Sequence, residues 1–215
     1  MGLGSVSRVR VVTDTMILAR PTELSVVALT LARAFHDDPI FALLFGTGGS
    51  EPVPEAPSRR FFEIMAAVQL HHGLVFRTPG DEAAAIWAPP GEWKLPNIQI
   101  AKHALPLARV FGRRLFANLE ILGRLEKAHP IDPHYYLEFI GTDPTYQGKG
   151  MATALIRPML ERCDAEHVGA YLESSKESNV SFYGRFGFEV TTVITHKAAK
   201  GRAGLQQWLM WRDPR

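Results

Sequence analysis

The chain has 215 residues, 46% of them hydrophobic and 21% charged, with a formal net charge of +2. That length suits one substantial core, and the near-neutral balance implies no strong whole-chain attraction to nucleic acid. A single cysteine, Cys163, excludes an intramolecular disulfide and a cysteine-rich zinc site. No run approaches the roughly 18 apolar residues of a membrane helix, and the Gly/Ser-rich start does not read as a signal peptide, so the expectation is a soluble, cytoplasmic protein with no membrane partner.

In chain order, residues 1–7 read as a flexible tail and 8–215 as a single domain. A Val/Ile/Thr-rich strand is expected over 9–18. A helix follows, with Thr22 as N-cap and Leu24, Val27, Leu31 and Phe35 at helical spacing. Asp37-Asp38-Pro39 stops it, and 46–57 reads as a Gly/Pro loop. A second helix begins at Ser58, with Phe61, Ile64, Met65 and Val68 on one side and Gly73 as its C-cap. A hairpin then joins strands 74–77 and 83–88 through Pro79-Gly80-Asp81. A helical insert occupies about 98–129, broken near Leu105-Pro106. It carries Lys102, Arg109, Arg113, Arg114, Arg124 and Lys127, with Leu107, Val110, Leu115, Leu119 and Leu122 between them. This reads as an amphipathic insert with a solvated basic face, or as cations that receive an anionic ligand. A central strand at 134–141 places His134, Tyr136, Glu138 and Ile140 on one face and Tyr135, Leu137 and Phe139 on the other. A helix with the stripe Met151, Leu155, Met159 and Leu160 comes next. A strand (168–173), a short helix (177–186) closed by Gly187, and a terminal strand pair (188–195, 205–211) around a polar loop (197–204) complete the chain.

The stretch with the clearest chemistry is 141–152, GTDPTYQGKGMA, which joins the central strand to a helix. Unpaired backbone N–H groups and the helix dipole favour an anion there. Gly148 and Gly150 let a phosphate approach the backbone, and Lys149 adds positive charge. The segment matches neither a Walker A loop nor a dinucleotide fingerprint. Gln147-Gly148-Lys149-Gly150-Met151-Ala152 does resemble the (Arg/Gln)-x-x-Gly-x-(Gly/Ala) signature of the GNAT superfamily of acyl-CoA N-acyltransferases. Asn179 to Tyr183 followed by Gly187-Phe188 looks like the "N-x-x-x-Y…G-F" segment late in many such domains. Leu172-Glu173-Ser174 and Trp87-Ala88-Pro89-Pro90-Gly91 are similar to actinobacterial acetyltransferases of the puromycin N-acetyltransferase type. The resemblance runs from about Val9 to Trp211 and is sharp from His134 to Phe188.

It implies a mixed α/β fold: a mostly antiparallel, twisted sheet of about six to seven strands flanked by helices, with the helical insert before the central strand. It implies acetyl transfer from acetyl-CoA, as co-substrate, to a primary amine of a small-molecule acceptor, in a ternary complex and without a metal. The pyrophosphate would rest on Gln147, Gly148, Lys149, Gly150, Met151, Ala152 and Thr153. The pantetheine arm would meet the backbone of Ile140, Gly141 and Thr142, with Asn179 contacting the arm. Glu138 is the candidate general base: an acid is disfavoured mid-strand, and burial would raise its pKa. Its bland alternative is a partner for an insert arginine. His134 reads as a capping or surface histidine, though His134 or a water chain is also open as the base. Tyr183 matches the family tyrosine that protonates the departing thiolate, its alternative being a core aromatic. Asn179 is alternatively an N-cap. Cys163 is a core residue, and His71-His72 lacks the companions of a metal site. The acceptor is expected between the first helices and the insert, near Phe35, Asp37, Asp38 and Trp87. A GNAT-like module that binds acyl-CoA with little catalysis is the alternative function. Nucleic acid is not an expected partner, and the sequence leaves monomer or homodimer open.

Overall fold

The computed structural model describes residues 15–48, 51–94, 97–196 and 204–215, and its centre is the strand pair β3 (Ala83–Ala88) and β4 (His134–Thr142). All of β3, Ala-Ala-Ala-Ile-Trp-Ala, is buried. A strand covered on both faces shows no polar alternation. Ala83, Ala85 and Trp87 face one core, and Ala84 and Ile86 face the other.

The remaining strands are β1 (Ile17–Leu18), β2 (Val75–Arg77), β5 (Gly169–Ser174), β6 (Glu189–His196) and β7 (Leu205–Arg212). The sheet has seven strands in the order β1-β2-β3-β4-β5-β7-β6. Among the described residues only β4 and β5 pair in parallel; the other neighbours are antiparallel. The mostly antiparallel sheet expected from the sequence is therefore the one that forms. Helices α1 (Leu24–Ala34) and α3 (Glu55–Gln69) cover the face of Ala84 and Ile86. Helices α6 (Met151–Glu166) and α7 (Val180–Gly184) cover the face of Trp87. The α6 stripe is Leu155, Ile156, Met159, Leu160 and Cys163, with Met151 only half-buried.

Several local expectations change. The tail 1–7, residues 9–14 of the first strand and 197–203 of the polar loop lie outside the described residues. Thr22 is not an N-cap: Pro21–Glu23 form a 3-10 turn. The Glu23 carboxylate accepts from Arg20 N–H at 2.8 Å and pairs with Arg77 at 2.7 Å. Asp38 ends no more than the turn after α1, because it caps a further helix, α2 (Pro39–Phe45), by accepting from Ile40 and Phe41 N–H at 2.9 and 3.0 Å. Helix α3 starts at Glu55 rather than Ser58, and its most deeply buried residues are Ser58, Phe62 and Ala66, while Phe61 and Met65 are half-buried. Pro106 lies inside α4 (Asn97–Phe111); the insert turns instead at Gly112, whose φ of +52° suits a residue without Cβ, before α5 (Leu115–Ala128). The insert is not cleanly amphipathic, since Phe116, Leu119 and Leu122 on α5 are exposed. It is fastened to α2 by polar bonds: Arg114 donates to the Leu43 carbonyl (3.0 Å) and Asn118 to that of Leu44 (3.1 Å).

The central strand is not regular. Ile86 opposes Phe139 and Trp87 opposes Leu137, so Glu138 is the extra residue of a bulge. The bulge shifts the phase of the strand. Tyr135 and Leu137 join the α6 core, Phe139 joins the α1/α3 core, and Ile140 packs with the α6 core. Strict alternation had placed Phe139 with Leu137 and Ile140 with Glu138.

Helix α1 lies hard against β4 at Gly141. A Cβ there would stand 2.5 Å from Ala34 Cβ and 3.3 Å from the Phe35 ring. Gly141→Val should therefore cost about 1–3 kcal/mol through overpacking; a urea midpoint unchanged from the parent would contradict this close approach.

Candidate active site

Beyond Leu137 the parallel strands separate. Pairing runs from His134–Gly169 to Leu137–Leu172 and stops, while β5 continues against β7 as far as Ser174–Trp208. The β4 backbone of Glu138–Thr142 therefore has no strand on its β5 side. A cavity of about 840 Å³ occupies the gap. Its walls include Phe35, Phe41, Phe61 and Phe139 from the helical side and Leu122 and Leu125 from α5.

Ile140, Gly141, Thr142, Gln147, Gly148, Gly150, Met151, Ala152, Thr153, Asn179, Tyr183 and Glu138 all line this cavity. Lys149 is not on its wall; its ammonium lies 5.0 Å over the Tyr146 ring. The turn is set by Asp143, which accepts from Thr145 N–H (3.0 Å) and Thr145 hydroxyl (2.7 Å). Gly148 and Gly150 have φ of +76° and +81°, and apart from the adjoining backbone no atom lies within 4 Å of where their Cβ atoms would be. The first backbone bond of α6 runs from Ala154 N–H to the Gly150 carbonyl. The earlier N–H groups thus open the helix unpaired by it, and the dipole places about half a positive charge there. Positive φ, open space and free donors together fit a pyrophosphate.

Glu138 sits at the bulge. Gln69 Nε2 donates to its Oε1 at 2.6 Å, while Oε2 is shielded from solvent with no partner. Burial pushes its carboxyl up to about 8 against the pull of the Gln69 bond, and the neighbouring Glu173 adds to the rise. The alternative of an insert-arginine partner does not hold, since Glu138 bonds to Gln69. Glu173 enters the sequence reading only within the Leu172-Glu173-Ser174 segment and without a site role, although it too is an acid within a strand. It accepts from Tyr171 hydroxyl (3.1 Å), Tyr136 hydroxyl (3.4 Å) and Gln207 Nε2 (3.2 Å). Burial still raises it to about 7. Neither Gln69, the last residue of α3, nor Gln207 carried a sequence signal.

Tyr183 projects from α7 and is nearly buried, so desolvation raises its phenol well above the ordinary value and it stays protonated. Asn179 occupies the N-cap position of α7 without a side-chain capping bond. Asp37 and Asp38 reach the cavity already partnered: Lys176 pairs with Asp37 at 2.7 Å, and Ser175 donates to Asp38. Trp87 is fully buried in the α6 core and does not line this cavity. His134 is neither a cap nor a surface residue; it is 2% exposed, behind the cavity. Cys163 is core, and burial raises its thiol to about 12. Among the described residues no cluster of His, Cys, Asp and Glu could hold a metal, and no helix is long and apolar enough to cross a membrane.

The sheet thus opens between its two parallel central strands, with a glycine-rich helix start at the opening. Residues 86–188 match the model of the Acetyltransferase (GNAT) family. An uncharacterised N-acetyltransferase of Schizosaccharomyces pombe is 31% identical over 170 residues, spanning 75% of this chain and 68% of that protein. A solved histone acetyltransferase-related acetyltransferase of Corynebacterium glutamicum superposes with a TM-score of 0.65 at 23% identity, over 94% of this chain and 96% of that one. A polyamine N-acetyltransferase of Drosophila melanogaster gives 0.64 at 16% identity, over 92% and 98%. At such identities these structures speak for the fold. The chain belongs to the GNAT family of acetyltransferases and is an enzyme of that class.

The raised Glu138 pKa has a thermodynamic consequence. Below pH 4.5 the carboxyl is protonated folded or unfolded; between there and about 8 only the unfolded chain ionises. The fold therefore loses stability across that window, and the deficit is complete above it. Glu138→Gln, which keeps an acceptor for Gln69, should raise Tm over the parent by more at about pH 9 than at about pH 4. An equal difference at both would show that Glu138 titrates normally.

Proposed function

We infer that this chain transfers the acetyl group of acetyl-CoA directly to a primary amine of a small-molecule acceptor. The observation that carries this reading is Glu138: a shielded carboxylate with one unpaired oxygen, at the point where β4 leaves β5, on the same cavity wall system as the cradle and Tyr183. Acetyl-CoA supplies the activated acyl group. Gln147 to Thr153 hold its pyrophosphate through backbone N–H groups, and the open β4 edge at Ile140, Gly141 and Thr142, with Asn179, aligns the arm. Glu138, poised near neutrality, takes a proton from the acceptor ammonium, a role typically worth about 10²–10⁴ in rate. Tyr183, held neutral by burial, gives a proton to the departing thiolate.

A small amine suits the aromatic and aliphatic walls at Phe35, Phe41, Phe61 and Leu122. The polyamine N-acetyltransferase and a solved agmatine N-acetyltransferase share the fold and support an amine acceptor.

Thiol release from acetyl-CoA, followed across a panel of primary amines, tests the reading. Turnover should rise with pH through about 8, as the Glu138 base ionises. Glu138→Gln should lower kcat by about 10²-fold or more, and Tyr183→Phe by about tenfold, both with CoA binding preserved in calorimetry. CoA binding without thiol release on any amine would favour a non-catalytic binding module. Gly148→Ala with Gly150→Ala should weaken CoA by about tenfold or more, because Cβ atoms enter the cradle at positive φ; undiminished affinity would place the pyrophosphate elsewhere.

A further inference from the structure

Strand β4 orders the cavity from end to end. Its last residue, Thr142, leads into the cradle, and at about 3.3 Å per residue Glu138 lies roughly 13 Å back along the strand. An arm extended from the cradle takes the β4 edge, so the acceptor meets Glu138 against the remaining wall. The apolar part of that wall is Phe35, Phe41, Phe61 and Phe139, with Leu122 and Leu125.

The four rings form one patch. Phe41 packs on Phe35 and Phe61 with centroids 4.8 and 5.6 Å apart, and Phe139 stands edge-on to Phe41 and Phe61 at 6.2 and 5.7 Å. Phe35, Phe61 and Phe139 are only half-buried, so the patch has area left to cover. The helical insert completes it. Phe111, the last residue of α4, packs on Phe45 and Phe61 at 5.5 and 5.7 Å, and the Arg114 and Asn118 bonds to α2 fix the start of α5. Further along α5, Leu122 and Leu125 reach the cavity; Leu122 is also 53% exposed, so the wall there runs out to the surface.

The charges on the wall are unevenly engaged. Four carboxyls line the cavity: Asp37, Asp38, Glu138 and Glu173. Lys176 pairs with Asp37 at 2.7 Å. Asp38 accepts from the Ser175 hydroxyl and from Ile40 and Phe41 N–H, and Glu173 accepts from Tyr136, Tyr171 and Gln207. Of the four, only Glu138 has an oxygen that is shielded from solvent and lacks a partner. The cations give a second positive charge nothing: Lys176 is held by Asp37, and the Arg185 guanidinium lies 5.2 Å over the Phe182 ring. An ammonium placed away from Glu138 would therefore lie against rings and leucines with no anion, and burying an unpaired charge is costly. A methylene or phenyl group in the same place is stabilised by the apolar area it covers.

On the acetyl-transfer reading above, we propose that the acceptor is a monoamine with an aliphatic or aromatic body, whose single ammonium meets Glu138 while its body lies on the phenylalanine wall, and that Leu122 and Leu125 of the insert select it over amines bearing a second cation. The insert is then a specificity element: it closes the acceptor side with hydrocarbon where an acid would admit a diamine.

The test pairs heptylamine with 1,6-diaminohexane, which have equal numbers of heavy atoms and differ by one ammonium, and phenethylamine with agmatine. With the full chain and acetyl-CoA, kcat/KM from thiol release should be about tenfold or more higher for each monoamine than for its dicationic counterpart. Leu122→Glu puts an acid on the wall at an exposed position, and should move the heptylamine-to-diaminohexane ratio about tenfold or more toward the diamine. Equal ratios in the parent, or a ratio that Leu122→Glu leaves in place, would overturn the proposal. A parent that prefers the diamines would overturn it too, and would point to Asp37 released from Lys176 as a second ammonium seat. Thiol release with none of the four amines would overturn the acetyl-transfer reading. Calorimetry of heptylamine and 1,6-diaminohexane on the CoA-saturated chain addresses the wall separately. Heptylamine should bind about tenfold or more tighter, with the advantage reduced by Leu122→Glu; equal or undetectable affinities would overturn the assignment of the wall whatever the turnover.

Discussion

The separation of β4 from β5 after Leu137–Leu172 is the constraint on which the site depends. Parallel strands left paired along their whole length would bury their backbone groups in a ladder, and nothing could enter. Here four rungs hold the two strands together at one end, while β7 pairs along the opposite edge of β5 from Ala170 to Ser174, so the edge of β5 that faced β4 stays open beyond Leu172. The bulge at Glu138 falls where the pairing stops. One extra residue re-aims the strand, presents its backbone to the gap and turns an acidic side chain into the cavity. The same residue that breaks the ladder is the candidate base.

The cavity keeps its acids in two different conditions. Asp37 and Asp38 are neutralised or hydrogen-bonded by Lys176, Ser175 and the α2 backbone, and they tie the helical side to the loop after β5. Glu138 and Glu173 are deprived of full compensation. Glu138 has one donor, and Glu173 has three neutral ones; burial outweighs both arrangements. Two carboxyls raised by burial toward neutrality, with Glu173 adding to the cost of charging Glu138, suit the proton-accepting role proposed for Glu138. The stability given up by Glu138 at alkaline pH is the thermodynamic side of that arrangement.

The glycine-rich turn, the hairpin and the buried helices were legible because each is a local matter, and the Asn179–Tyr183 segment because it resembles a family pattern. Positive φ at Gly148 and Gly150, the turn at Asp81 and the spacing of Leu155 and Met159 depend on residues a few positions apart. Capping and insert geometry were less legible, because competing local options lie close in energy. Glu23 rather than Thr22 closed the first turn since Arg77, distant in sequence, also reached it. Pro106 was tolerated within α4 and Gly112 made the bend.

What the sequence by itself determined was the mixed sheet with flanking helices, the position of the glycine-rich turn as a candidate anion cradle, and Glu138 and Tyr183 as the side chains to examine. Period-two and period-3.6 patterns encode the strands and helices, glycine placement encodes the turn, and an acid within a strand marks Glu138, while the sheet type and Tyr183 follow from the resemblance carried by 147–152 and 179–188. Only the tertiary structure decided that Glu138 meets Gln69, that Glu173 lines the cavity with His134 behind it, and that Asp37 and Asp38 are already engaged. Gln69 and Glu138 lie 69 residues apart in the chain, and Ser175 and Asp38 lie 137 apart. No local pattern specifies such pairings; they exist because two layers of helices close on one sheet, and because a bulge shifts the phase of its central strand where the sheet opens.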